Sequence, residues 1–189
     1  MSFFTLPAWR PPAEPRMPAW SRGPEGMVPG VVPVALLVAR TDTHAVLVTD
    51  LRAYPTGVEF VLPVRPRPGQ PDPGRHNPDR PPSFAYHDLW LELRFADGHT
   101  ASNHPRHWPR TFETEQPDPP LLYYHGGSGS ERGWRSRHWL LGLPPPGPLA
   151  FVVEWPARGI PEARVEIDAD LVLEAARRAV PIWPDPPRR

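Results

Sequence analysis

The chain has 189 residues, with 21 basic and 21 acidic side chains, 32 prolines and no cysteine. Balanced charge supplies no global pull toward nucleic acid or an anionic membrane, and without cysteine there is no disulfide framework, thiolate nucleophile or Cys-ligated metal site. Every basic residue is arginine, which also removes Schiff-base lysines, phosphate-loop lysines and Ser-Lys nucleophile pairs.

The first residues lack the basic and apolar regions of an export signal, and no segment approaches the ~20 apolar residues of a membrane span. A cytoplasmic protein is the expectation. Prolines at positions 7, 11, 12, 15, 18, 24 and 29 predict an extended arm over residues 1–29, because proline removes the backbone donor and breaks helices. Trp9, Trp20 and Met27 give that arm apolar side chains, and at least one of the tryptophans is expected to lie on the domain formed by residues 30–183.

Residues 31–39 are apolar and rich in branched side chains, which reads as one strand covered on both faces. Residues 44–54 alternate, with Ala45, Leu47, Leu51 and Ala53 predicted inward and His44, Asp50, Arg52 and Tyr54 outward. A Thr41-Asp42-Thr43 turn and a Tyr54-Pro55-Thr56-Gly57 turn make a meander with the next strand, where Val58, Phe60, Leu62 and Val64 face inward. Residues 65–83 have no apolar anchor and read as a long mobile loop. Leu89, Leu91, Leu93 and Phe95 then alternate with Asp88, Trp90, Glu92 and Arg94, the cleanest strand pattern in the chain. Asp97-Gly98 is a hairpin turn, followed by a weak polar strand from His99.

The stretch His125-Gly126-Gly127-Ser128-Gly129-Ser130 reads as a flexible loop feeding a strand over residues 138–143. A second core strand follows, with Leu149, Phe151, Val153 and Trp155 inward, and then a short strand over residues 164–168. Leu171, Val172, Ala175, Ala176, Ala179 and Val180 form one stripe, which predicts a helix over residues 170–180 stopped by Pro181. Residues 184–189 are a tail. Eight or nine strands with Pro/Gly turns and one helix describe a mainly β fold: an antiparallel, jelly-roll-like β-sandwich with one C-terminal α-helix.

The segments Tyr-Pro-Thr-Gly-Val-Glu-Phe at 54–60, Gly-Gly-Ser-Gly-Ser at 126–130, His-Trp-Leu-Leu-Gly-Leu-Pro-Pro-Pro-Gly-Pro-Leu at 138–149 and Glu-Trp-Pro-Ala-Arg-Gly-Ile at 154–160 resemble a group of actinobacterial proteins of unknown function. The resemblance spans roughly residues 31–183 and implies a source without implying an activity.

Three chemistries have candidates. The glycine stretch nearly spells a nucleophile elbow, but Ser130 stands where the fifth-position glycine belongs and no helix follows, so Ser128 and Ser130 are not expected to be nucleophiles. His99, His104 and His107 could supply an imidazole triad to a divalent metal if their loop curls back. Arg132, Trp134, Arg135 and Arg137 interleave cations with an aromatic, a pattern suited to an anionic ligand. The alternative for that run is a strand with Trp139 inward and Arg135 and Arg137 solvated. Trp90 is predicted to face outward, either as a contact residue or covered by the N-terminal arm or a second copy of the chain. These readings favour a non-catalytic interaction or scaffold module with a protein partner and no cofactor, and a metal-dependent enzyme using the histidines is the alternative. Neither a membrane nor nucleic acid is expected as partner.

Overall fold

Alternation of apolar side chains builds most of the molecule seen in a computed structural model, which describes residues 18–69, 88–104, 116–130 and 133–183. Among these residues the strands are β1 (Met27–Val28), β2 (Gly30–Val31), β3 (Leu36–Arg40), β4 (His44–Tyr54), β5 (Gly57–Pro66), β6 (Trp90–Arg94), β7 (Thr100–Ser102), β8 (Leu121–Ser130), β9 (Gly133–Leu141), β10 (Pro148–Trp155), β11 (Ile160–Asp168) and β12 (Val180–Pro181), with one short helix, α1 (Asp170–Arg177). Expectations for residues 1–17, for most of the 65–83 loop and for 184–189 lie outside the described residues.

The fold is mainly β and every strand pairing is antiparallel. One sheet runs β2-β4-β5-β9-β8 with β3 also on β4, a second runs β11-β10-β6-β7, a ribbon joins β1 to β12, and none closes into a barrel. Leu89, Leu91, Leu93 and Phe95 are buried, as are Leu149, Phe151, Val153 and Trp155. Side chains of the two large sheets share one cluster: the Phe60 ring on β5 meets Phe151 on β10 edge-on at 5.6 Å. The meander β3-β4-β5 and the Asp97-Gly98 hairpin form as expected, the latter closed by Phe95 N–H to His99 O at 3.0 Å.

Several elements depart from the sequence pattern. The 31–39 run is two strands, because Pro33 has no donor and the chain turns there, with Val34 N–H bonded to Val32 O at 2.8 Å. In β4 the inward set changes halfway. His44, Val46 and Val48 are buried, then Leu51 and Ala53. The pairing shifts between Thr49 and Arg52, and Asp50 takes φ 55°, so one extra residue swaps the faces. Period-two counting through that bulge therefore misplaces Ala45 and Leu47, which lie on the outward side.

The glycine stretch is not a loop. It is the second half of β8, paired with β9 as far as Ser130, and β9 begins at Gly133, before the expected residue 138. β11 likewise starts at Ile160, four residues early. Helix α1 packs Val172, Ala175 and Ala176 onto the sheet and ends at Arg177. Val180, counted in its stripe, instead pairs with Val28. The described end of the arm is docked: Trp20 and Met27 join a second small core of Tyr54, Leu121, Trp139 and Leu141.

Candidate interaction surfaces

Strands β6 and β10 pair so that Trp90 stands opposite Glu154 and Glu92 opposite Val152. Because Leu91, Leu93, Phe151 and Val153 occupy the core face, the pleat sends Trp90, Glu92, Arg94 and Glu154 to the other side. There, with Ser102, His104, Val152 and Glu162, they line a cleft of about 370 Å³.

Its charged groups are not equivalent. Arg94 Nε donates to Glu92 Oε1 at 2.6 Å, and its two terminal nitrogens donate to both Glu162 oxygens at 3.1 and 2.9 Å. Hydrogen bonds from Arg94 pull the Glu162 carboxyl below its usual range, and the two carboxylates push the guanidinium further up. Glu154 is exposed and makes no ion pair among the described residues. Three carboxylates face one guanidinium, leaving two net negative charges.

Trp90 meets the His104 ring, with centroids 4.3 Å apart and planes tilted by 41°. Asn103 sets that neighbour: its side chain accepts from Leu91 N–H at 2.8 Å and donates to Leu89 O at 3.2 Å, so a side chain continues the edge of β6 past the end of β7. Ser102 Oγ then accepts from His104 N–H at 3.1 Å. A loop residue is thereby held over a strand residue. The sequence marks Trp90 as outward, but Glu154 was hidden inside an apolar run. Period two on β10 was the signal that could have found it.

The arginine run at β9 divides by the same rule. Trp134, Ser136, His138 and Leu140 face the main core, and Arg135, Arg137, Trp139 and Leu141 face the other way. Trp134 is only 8% exposed, so it is not presented beside the arginines. Gly127 makes room for it, since a Cβ there would lie 2.4 Å from the indole. Gly126, with φ 94°, forms the bulge that brings Gly127 into register. Arg135 and Arg137 are exposed, Arg135 lies 3.5 Å from Asp50, and Arg132 is outside the described residues. Trp139 is buried by the arm and not by the main core. Trp90 belongs to the other sheet.

The histidines do not converge where they are described. His99 is exposed and bonded to Asp97 at 3.1 Å, His104 lies on Trp90, and His107 is outside the described residues. No group of three or more metal-ligating side chains occurs among the described residues. A Ser-His contact that the sequence reading missed lies between the sheets: Ser136 Oγ is 3.0 Å from His138 Nε2, and Ser136 also donates toward Leu62 O at 3.4 Å. His138 stacks on Phe60 at 5.3 Å, and burial pushes its pKa down to about 3, so the ring is neutral. Its Nδ1 has no hydrogen-bond partner among the described residues. Both side chains are buried among the described residues.

Comparison with protein-family models, with curated proteins and with solved structures finds no match to this chain.

Proposed function

We propose that the chain is a non-catalytic protein-interaction module, and that the Trp90 cleft is where it takes an arginine-bearing segment of a partner protein. The two large sheets are read as the layers of an antiparallel β-sandwich, supported by the Phe60–Phe151 contact.

One observation carries the binding reading. Trp90 and Glu154 stand directly across β6 and β10 in a cleft that already holds one guanidinium, that of Arg94, between two carboxylates. A second guanidinium over the indole would gain a cation–π contact and a forked pair with Glu154. The forked pair of Arg94 with Glu162 on the same face supports this reading. Lysine, a compact point charge, matches neither the fork nor the stacking plane as well.

Calorimetric titration with an N-acetylated, C-amidated Pro-Arg-Pro peptide tests this, with the Pro-Lys-Pro peptide as control. Glu154→Gln should weaken the arginine peptide about tenfold, which is the effect of losing about 1.4 kcal/mol. Equal affinity for both peptides, or no effect of Glu154→Gln, would contradict the assignment.

A further inference from the structure

Strands β1 and β12 make a ribbon of only two residue pairs, Met27 with Pro181 and Val28 with Val180. The pairing runs one step further, because Ile182 N–H donates to Gly26 O at 2.7 Å. A two-stranded ribbon is marginal in water unless another element covers it. One face of this ribbon is covered: Met27 packs on the small core of Tyr54, Leu121, Trp139 and Leu141. Alternation sends Val28, Val180 and Ile182 to the opposite face, where all three are half-exposed. The fourth corner of that face is Gly26, across from Ile182. Among the described residues, a Cβ built there would meet only the edge of the Trp183 indole, at 4.0 Å. Three branched side chains therefore border an open corner with room for one bulky apolar group.

The size of this face selects its occupant. Three half-exposed side chains offer far less than the ~800 Å² per partner buried when separate chains associate stably. A contact this small is populated when its occupant is tethered beside it, since a short tether supplies an effective concentration on the order of millimolar. The arm contains such a segment. Residues 3–9, Phe-Phe-Thr-Leu-Pro-Ala-Trp, carry four large apolar side chains and no charge, and they lie outside the described residues. Nine steps along the chain separate Trp9 from Pro18, where the described residues begin, and Pro11, Pro12 and Pro15 fall among them. At ~3.1 Å per residue, an extended proline-rich connection of that length spans about 28 Å. Trp20 and Met27 pack on the same small core, so the arm reaches the described structure beside the ribbon.

We propose that residues 3–9 fold back over the outer face of the β1–β12 ribbon, with the Trp9 indole in the corner at Gly26. The ribbon is then held between the small core on one side and the arm on the other. This contact is independent of the Trp90 cleft.

The test places the photo-cross-linker p-benzoylphenylalanine at position 9 of the full chain, at low micromolar concentration, and maps the cross-linked peptides by mass spectrometry. Cross-links within one chain to residues 26–28 or 180–182 are expected. Their yield should fall at least fivefold when Val180→Asp is added, and should hold when Leu37→Asp, at another half-exposed apolar side chain, is added instead. Near-ultraviolet circular dichroism checks that both variants fold. Cross-links between chains would overturn the tethered occupant in favour of a second copy. Cross-links elsewhere, none to the ribbon, or a yield unchanged by Val180→Asp would overturn the site. Amide hydrogen exchange gives a second readout without the cross-linker: in Trp9→Ala the Ile182 amide should exchange at least fivefold faster, with exchange in β10 unchanged. An Ile182 amide as protected as in the parent would contradict the proposal.

Discussion

The Trp139 indole N–H donates to the backbone carbonyl of Trp20 at 2.9 Å, joining two residues 119 positions apart. This bond, with the edge-on contact of Trp20 and Tyr123 at 6.3 Å, holds the described end of the arm on the six-stranded sheet. Without that cover Trp139 and Leu141 would present an apolar patch to water. Trp20→Ala should therefore cost about 1–3 kcal/mol of stability, as expected for a partly buried aromatic. It should also speed proteolysis within residues 18–28. Trp183→Ala, at a side chain 76% exposed, is the control and should do neither.

His138 gives stability a pH dependence with a defined sign. Its pKa is about 3 in the folded chain and 6.5 in the unfolded one, so between those values the unfolded chain binds the extra proton. The contribution is fully present above pH 6.5 and is lost as pH falls toward 3, about 2 kcal/mol of it by pH 5. Burial lowers the pKa of His125 as well, which adds a loss of the same sign. The midpoint of urea unfolding, followed from pH 7 to 4.5, should fall less steeply in His138→Phe than in the parent. Parallel slopes would remove His138 as the source.

The indole of Trp134 occupies the place where a side chain at 127 would begin. Gly127→Val should displace it and cost about 1–3 kcal/mol, the usual penalty of overpacking. Thermal unfolding measures the loss, and an unshifted melting temperature would mean that β8 does not lie against Trp134 as described.

Asp50 separates bulge geometry from side-chain chemistry. At φ 55° a glycine is at ease and a branched residue is not. Asp50→Gly should stay within about 0.5 kcal/mol of the parent and Asp50→Val should lose about 1–2 kcal/mol. A Val variant as stable as the Gly variant would place the bulge elsewhere.

Where one strand keeps strict alternation, as at Leu89–Phe95 and Leu149–Trp155, the sequence alone identifies its inward face, because each side chain reports its own environment. The pattern fails at Asp50 and Gly126, where a bulge adds a residue and swaps the faces. Glycine composition suggested a loop at 126–130, yet a strand forms because neighbouring Trp134 needs the absent side chain. Of the candidate cleft, Trp90 was legible as an aromatic among charged residues. Period two turns Glu154 outward, but its place beside Trp90 depends on strand pairing, and that of His104 depends on the Asn103 side chain bonding back to β6. The cross-strand row Arg40–Ala45–Arg65 has its members on three strands. No local pattern contains it.

The interaction reading rests most heavily on Trp90, whose indole faces out of β6 beside an exposed carboxylate. The most direct measurement is the affinity of the Pro-Arg-Pro peptide for the parent chain and for Trp90→Ala, with folding of both checked by near-ultraviolet circular dichroism. A loss of tenfold or more in Trp90→Ala, with the fold intact and no comparable loss for the lysine peptide, is the predicted result. Equal affinities in parent and variant would contradict the account.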